Sequence, residues 1–149
     1  MINEDIKFSC QQCSWCCRFE GGVVRLSQDD LDRLCKWAEL KEEQFKKVYC
    51  RSIEDNQGKN WLILKTLQKG DCIFWDQSLC QGKGGCQCYI ARPLQCSTYP
   101  FWPEIIKDKE SWNKQGQKCP GINCGQVHPT EEINEEVKKY CERKPLEAD

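Results

Sequence analysis

The sequence predicts a small, irregular α+β domain with a few helices and short strands, stabilised by metal as well as by an apolar core. Two observations carry that expectation. Fourteen of the 149 residues are cysteine, while Leu, Ile, Val and Phe together number 30. That is about a fifth of the chain, the level at which aliphatic burial alone stops sustaining a fold. The apolar residues also fall in short amphipathic segments separated by turn-forming stretches. The length is that of one domain. No internal repeat or low-complexity linker divides it, so residues 1–149 are expected to form a single unit with its core at about 8–125.

The chain opens on Cys10-Gln11-Gln12-Cys13-Ser14-Trp15-Cys16-Cys17, read as a loop, and continues into the β-prone run Val23-Val24-Arg25-Leu26. A helix starts at Ser27. Ser27 is its expected N-cap, Asp30 stands at N3 in a near capping box, and Leu26 and Leu31 are placed to form a hydrophobic staple. Leu31, Leu34, Cys35 and Ala38 give it one apolar face. A second helix is expected over residues 41 to 52, with Phe45, Val48 and Tyr49 inward. Trp61-Leu62-Ile63-Leu64-Lys65 reads as a strand, and Gly70-Asp71 as the turn before Cys72-Ile73-Phe74-Trp75. From Cys80 to Cys124, Gly82-Lys83-Gly84-Gly85 and prolines 93, 100, 103 and 120 argue for loop structure without long helices. A final amphipathic helix is expected from about 129 to 143, burying Ile133, Val137, Tyr140 and Cys141.

Several function classes are excluded. No apolar run approaches the roughly 18 residues of a membrane span, and the first residues lack a secretory pattern. The 22 basic and 23 acidic residues are well mixed, with a net charge of −1, so neither a nucleic-acid nor a membrane surface is expected. These features point to a cytoplasmic protein. In a reducing compartment the cysteines read as metal ligands before disulfides. His128 is the only histidine, which rules out a multi-histidine metal site; just before Pro129, it reads as a capping or surface residue. Gly82-Lys83-Gly84-Gly85 is not a phosphate-binding loop. The acidic pairs Asp29-Asp30, Glu42-Glu43, Glu131-Glu132 and Glu135-Glu136 read as solvated helix faces or as first-turn carboxylates that favour the helix dipole.

Cys10-x2-Cys13-x2-Cys16-Cys17 is the strongest chemical signal. Two residues between thiolates let a tight loop aim both sulfurs at one ion about 2.3 Å away. Three such thiolates in series begin like the ligand run of bacterial ferredoxins. Cys17 follows Cys16 directly, so its side chain diverges and serves a second metal in this reading. Cys72, Cys80, Cys86, Cys88, Cys96, Cys119 and Cys124 supply further thiols. Cys35 and Cys141, on apolar helix faces, read as packed small hydrophobes; Cys50 is left unassigned.

The N-terminal cysteine run, Val24-Arg25-Leu26-Ser27 leading into Asp29-Asp30-Leu31, Cys72-Ile73-Phe74, the stretch Cys86 to Pro103 and Cys119-Pro120-Gly121-Ile122 together resemble the CxxCxxCC family of zinc- or iron-chelating (YkgJ-type) domains. The resemblance spans about residues 8 to 125. It implies metal ligation by Cys10, Cys13, Cys16, Cys17, Cys72, Cys86, Cys96 and Cys119, the number that two four-coordinate sites would need. Cys80, Cys88 and Cys124 are additions to that pattern, with Cys88 standing where an aliphatic residue is expected. A related domain occurs in the flagellin lysine methylase, which suggests a methylation-type connection by analogy only.

Thiolate ligands suit zinc and iron–sulfur centres alike. The expected cofactor is therefore an iron–sulfur cluster of 4Fe–4S type, zinc, or both. Arg92, between Cys86 and Cys96, is the candidate cofactor-binding residue, placed to donate to a cluster sulfur or thiolate; otherwise it is a solvated arginine. Phe74, Trp75, Tyr89, Tyr99, Phe101, Trp102 and Trp15 either wall off a centre or form ordinary core. Three roles remain open: redox or electron transfer or support of a protein-modifying, methylation-type system; a cluster-dependent enzyme; and a purely structural zinc module that docks on a protein partner through an exposed Tyr99-Pro100-Phe101-Trp102-Pro103 face.

Overall fold

A computed structural model describes residues 1–11, 23–67, 70–82 and 84–148. Cys13, Trp15, Cys16, Cys17 and Lys83 lie outside the described residues. The fold is α+β, with short helices and antiparallel strand pairs. Strand β1 (Ile6–Phe8) is followed by helix α1 (Gln28–Ala38), α2 (Glu42–Tyr49) and the hairpin β2 (Cys50–Glu54) and β3 (Asn60–Leu64). The two-residue strands β4 (Trp75–Asp76) and β5 (Gly85–Cys86) pair next. A 3-10 turn (Tyr89–Ala91) then leads through α3 (Leu94–Ser97), α4 (Pro103–Ile106) and α5 (Lys109–Gln115) to β6 (Ile122–His128) and α6 (Thr130–Glu142).

Helix α1 begins as its sequence dictates. The Ser27 hydroxyl accepts from the Asp30 N–H at 3.2 Å and the Asp30 carboxylate accepts from the Ser27 N–H at 2.9 Å, so two orphan donors are satisfied reciprocally. Leu26 and Leu31, the staple pair, are both fully buried. Of the neighbouring acidic pair, Asp29 is solvated but Asp30 is buried, contrary to a solvated-face reading. Helix α2 is shorter than predicted, because Cys50 turns extended and the chain enters β2. Phe45 is buried and Tyr49 packs beside it, but Val48 is half exposed rather than inward.

The β2–β3 register runs from Cys50 opposite Leu64 to Glu54 opposite Asn60. Asp55 organises the hairpin loop, accepting from the N–H groups of Gln57 and Lys59 and from the Trp61 indole. On β3's other edge, Leu64 N–H donates to Val24 O, and Leu62 N–H donates to Leu146 O. The predicted β-prone run 23–26 thus lies alongside β3 without forming a ladder of its own, because the C-terminal tail shares that edge.

The stretch from Cys80 to Cys124 holds only short helices, yet it is not all loop. Asp108 caps α5 through the Ser111 N–H at 2.7 Å, and β6 pairs antiparallel with β1 across a register irregularity. At that junction Ser9 N–H donates to Gly121 O, and a Cβ at position 121 would collide with the Ser9 carbonyl. Only glycine permits that approach.

Among the described residues the apolar core forms two clusters. One joins α1, α2 and the hairpin through Leu26, Leu31, Leu34, Phe45, Leu62 and Phe74. The other joins the N-terminus, α4, α5, β6 and α6 through Ile6, Phe101, Ile106, Trp112, Ile122 and Ile133. In α6, Ile133 is buried and Tyr140 stacks on Trp102, but Cys141, one position off that contact face, is exposed rather than packed. Phe101 and Pro100 are also buried. The aromatic-proline segment is therefore core, not an exposed docking face. Among the described residues no helix is long and apolar enough to cross a membrane.

Candidate metal centre

Cysteines from three parts of the chain meet between these clusters. Cys10, Cys72, Cys80, Cys86, Cys88 and Cys96 line one cavity of about 110 Å³, together with Phe74 and Arg92. Cys72 follows the turn at Gly70. Cys80 stands in left-handed backbone (φ 53°), and position 85 must stay small because a Cβ there would come within 2.9 Å of the Cys80 sulfur. Cys86 lies on β5 opposite Trp75, and the Gln87 N–H bond to Phe74 O holds this strand against the first cluster. Cys88 is buried with its sulfur 3.5 Å from that of Cys86.

A second cavity, about 260 Å³, shares Cys10, Arg92 and Cys96 with the first and adds Cys119, Tyr99, His128 and Glu132. Cys10 and Cys96 therefore stand where the two spaces meet. His128 is not a capping or surface residue. Its Nε2 lies 2.7 Å from Phe8 O and its Nδ1 2.9 Å from Glu132, with the ring packed against Phe101.

Positioning comes from buried polar groups that carry no cysteine signature. The Asp30 carboxylate accepts from Leu94 N–H and from the Arg33 guanidinium, both at 2.8 Å, and Arg33 also donates to Arg92 O. Gln95 accepts from Arg25 N–H at 3.0 Å and donates to Val23 O at 2.7 Å. Helix α1 and the chain at 23–25 thus fix the Arg92–Cys96 segment. Cys10, the first residue of the N-terminal cysteine run, and Val24 both form part of the first cavity's lining. Sequence reading assigned neither Asp30 nor Gln95 a role at the site. Their only signal was the capping pattern for Asp30, and nothing for Gln95.

Of the eight cysteines expected from the resemblance, the first cavity gathers Cys10, Cys72, Cys86 and Cys96, while Cys119 faces the second. It also gathers Cys80 and Cys88. Arg92 lines both cavities, with its guanidinium 3.9 Å over the Tyr89 ring and its Nε donating to Tyr89 O. Cys35 packs against the first cluster, consistent with a small hydrophobe.

The donor set fits a soft metal. Sulfur dominates the polar lining of the first cavity, and thiolates select zinc or iron–sulfur chemistry. The hydrogen-bonded Cys86 thiol, burial, and the nearby charge of Cys86, Cys72 and Cys96 all push the Cys88 thiol far up. A cluster of this kind gives up its protons when a cation supplies the compensating charge. Among the described residues no two cysteines are joined in a disulfide, and no three His, Cys, Asp or Glu side chains already form a ligand set.

Away from the cavities, Cys50 is buried in β2, and burial, reinforced by nearby Cys35, pushes its thiol up to about 12 from an ordinary 9.0. Below pH 9 both folded and unfolded chains keep this proton. Between about 9 and 12 only the unfolded chain releases it, so stability is lost as pH rises. Urea titrations across that range are expected to show a shallower decline for Cys50→Ala than for the unaltered chain. Parallel declines would remove Cys50 as the cause.

The family model described as "Putative zinc- or iron-chelating domain" matches residues 9–120, three quarters of the chain. No solved structure matches it.

Proposed function

The chain belongs to the CxxCxxCC family of zinc- or iron-chelating domains, and from that premise we propose that Cys10, Cys13, Cys16, Cys17, Cys72, Cys86, Cys96 and Cys119 hold iron–sulfur centres, zinc, or both. The observation that carries the proposal is the convergence of Cys10, Cys72, Cys86 and Cys96 on one cavity.

The role is redox or electron transfer, or support of a protein-modifying, methylation-type system in the cytoplasm. The second cavity supports an active role over a purely structural one, because it places open space lined by Tyr99, His128 and Glu132 against Cys10, Cys96 and Cys119. Arg92 borders both spaces and is the residue to donate to a sulfur at their junction. A bound cluster would supply one-electron chemistry; the polypeptide supplies thiolates, exclusion of water by Phe74, and the boundary between the two cavities.

The test is anaerobic purification of the untagged chain with iron, zinc, acid-labile sulfide and the visible spectrum measured together. A brown protein with about four irons and four sulfides per cluster, bleaching on reduction, supports redox work. A colourless protein with stoichiometric zinc replaces it with a structural module that binds a protein partner. Absence of stoichiometric metal sinks both.

A further inference from the structure

We propose that Cys88 is itself a metal ligand, chelating the same ion as Cys86, although it is not among the cysteines that the family pattern assigns. The inference rests on the metal-binding reading above and adds a residue and a stoichiometry to it. The two sulfurs are 3.5 Å apart. With metal–sulfur bonds of about 2.3 Å, one ion reaches both at an S–metal–S angle of about 100°, near the tetrahedral value. Neither side chain need leave its place.

The backbone supports the same arrangement. Gln87, between them, is held by its N–H to Phe74 O, so Cys86 and Cys88 are presented from one fixed turn. Cys88 is 1% exposed and lines the cavity with Cys72 and Cys96. A thiol at this buried position adds a donor to the cavity wall. The chemical class follows from the geometry. In a 4Fe–4S cluster four cysteines serve four irons, so a pair on one ion marks a centre whose metal takes two or more protein thiolates. Zinc is the ion of that class with no further requirement.

Full-length protein stripped of metal and reloaded anaerobically with ¹¹³Cd²⁺ as the zinc surrogate provides the test. Proton–cadmium correlation spectra are expected to connect the β-protons of both Cys86 and Cys88 to one cadmium resonance, and Cys88→Ser should displace that resonance. Cys50→Ser, at a buried thiol that does not line the cavity, should leave it in place. Correlation to Cys86 without Cys88, and an unshifted resonance in Cys88→Ser, would overturn the proposal and return Cys88 to the core while metal binding stands. Cadmium bound to no cysteine would overturn both this proposal and the functional reading beneath it.

Discussion

Withdrawing the metal is expected to unfold the protein. Its two apolar clusters are small, and the cysteines that join them contribute little cohesion as neutral thiols. Structural thiolate zinc contributes roughly 10–16 kcal/mol in small domains, as much as or more than the whole stability of a typical fold, about 5–15 kcal/mol. Chelator under reducing, anaerobic conditions should therefore abolish the cooperative melting transition rather than lower it by a few degrees. Cys13→Ser should do the same through one ligand, with metal content and melting temperature falling together. A variant that kept its full metal with an unchanged melting curve would remove Cys13 from the ligand set. Chelated protein that melted as the loaded protein does would show that the apolar clusters suffice.

The second large effect is expected at Asp30. Its fully buried carboxylate takes three donors at 2.8–2.9 Å, from Ser27 N–H, Leu94 N–H and Arg33. Asp30→Ala leaves the Ser27 and Leu94 N–H groups without this acceptor, while Arg33 keeps Asp29 and Arg92 O. Unpairing a buried N–H donor costs about 1–3 kcal/mol, and lost capping falls within that sum because the Ser27 N–H is one of the two donors. Urea unfolding of the metal-loaded protein should show a loss of that size. Since Leu94 begins the helix that carries Cys96, metal affinity should fall with it. Asp30→Asn retains one acceptor oxygen and should lie between the two. A loss under about 1 kcal/mol for Asp30→Ala would mean that water or a neighbour replaces the carboxylate at no cost.

Much of this fold was legible because the signals are local. The Ser27 cap, the Leu26–Leu31 staple, the β3 run and the α6 periodicity each depend on residues within a few positions of one another. The misjudged elements depend on distant partners. Residues 50–52 fall within the helix expected over 41 to 52 but become part of a strand because β3 offers them a ladder. Residues 122–128 become a strand because β1 lies alongside, and Val48 and Cys141 face solvent although each stands on a helix that buries other residues.

At the site the same division holds. Composition and spacing pointed to a cysteine-rich α+β chain with a metal-ligating thiol run, since ligand type and the two-residue gap are properties of the chain itself. The metal-chelating family came from the resemblance of its motifs and the family match over residues 9–120. Only the tertiary structure decided which thiols share a space. It brought Cys80 and Cys88 to the cavity with Cys72, Cys86 and Cys96, turned Cys119 toward a second cavity, and used Asp30 and Gln95 as anchors. The physical reason is that ligation needs sulfurs within a few ångströms in three dimensions. That distance is set by long-range contacts such as Asp30 with Leu94 and Gln95 with Val23 and Arg25, which no local pattern encodes.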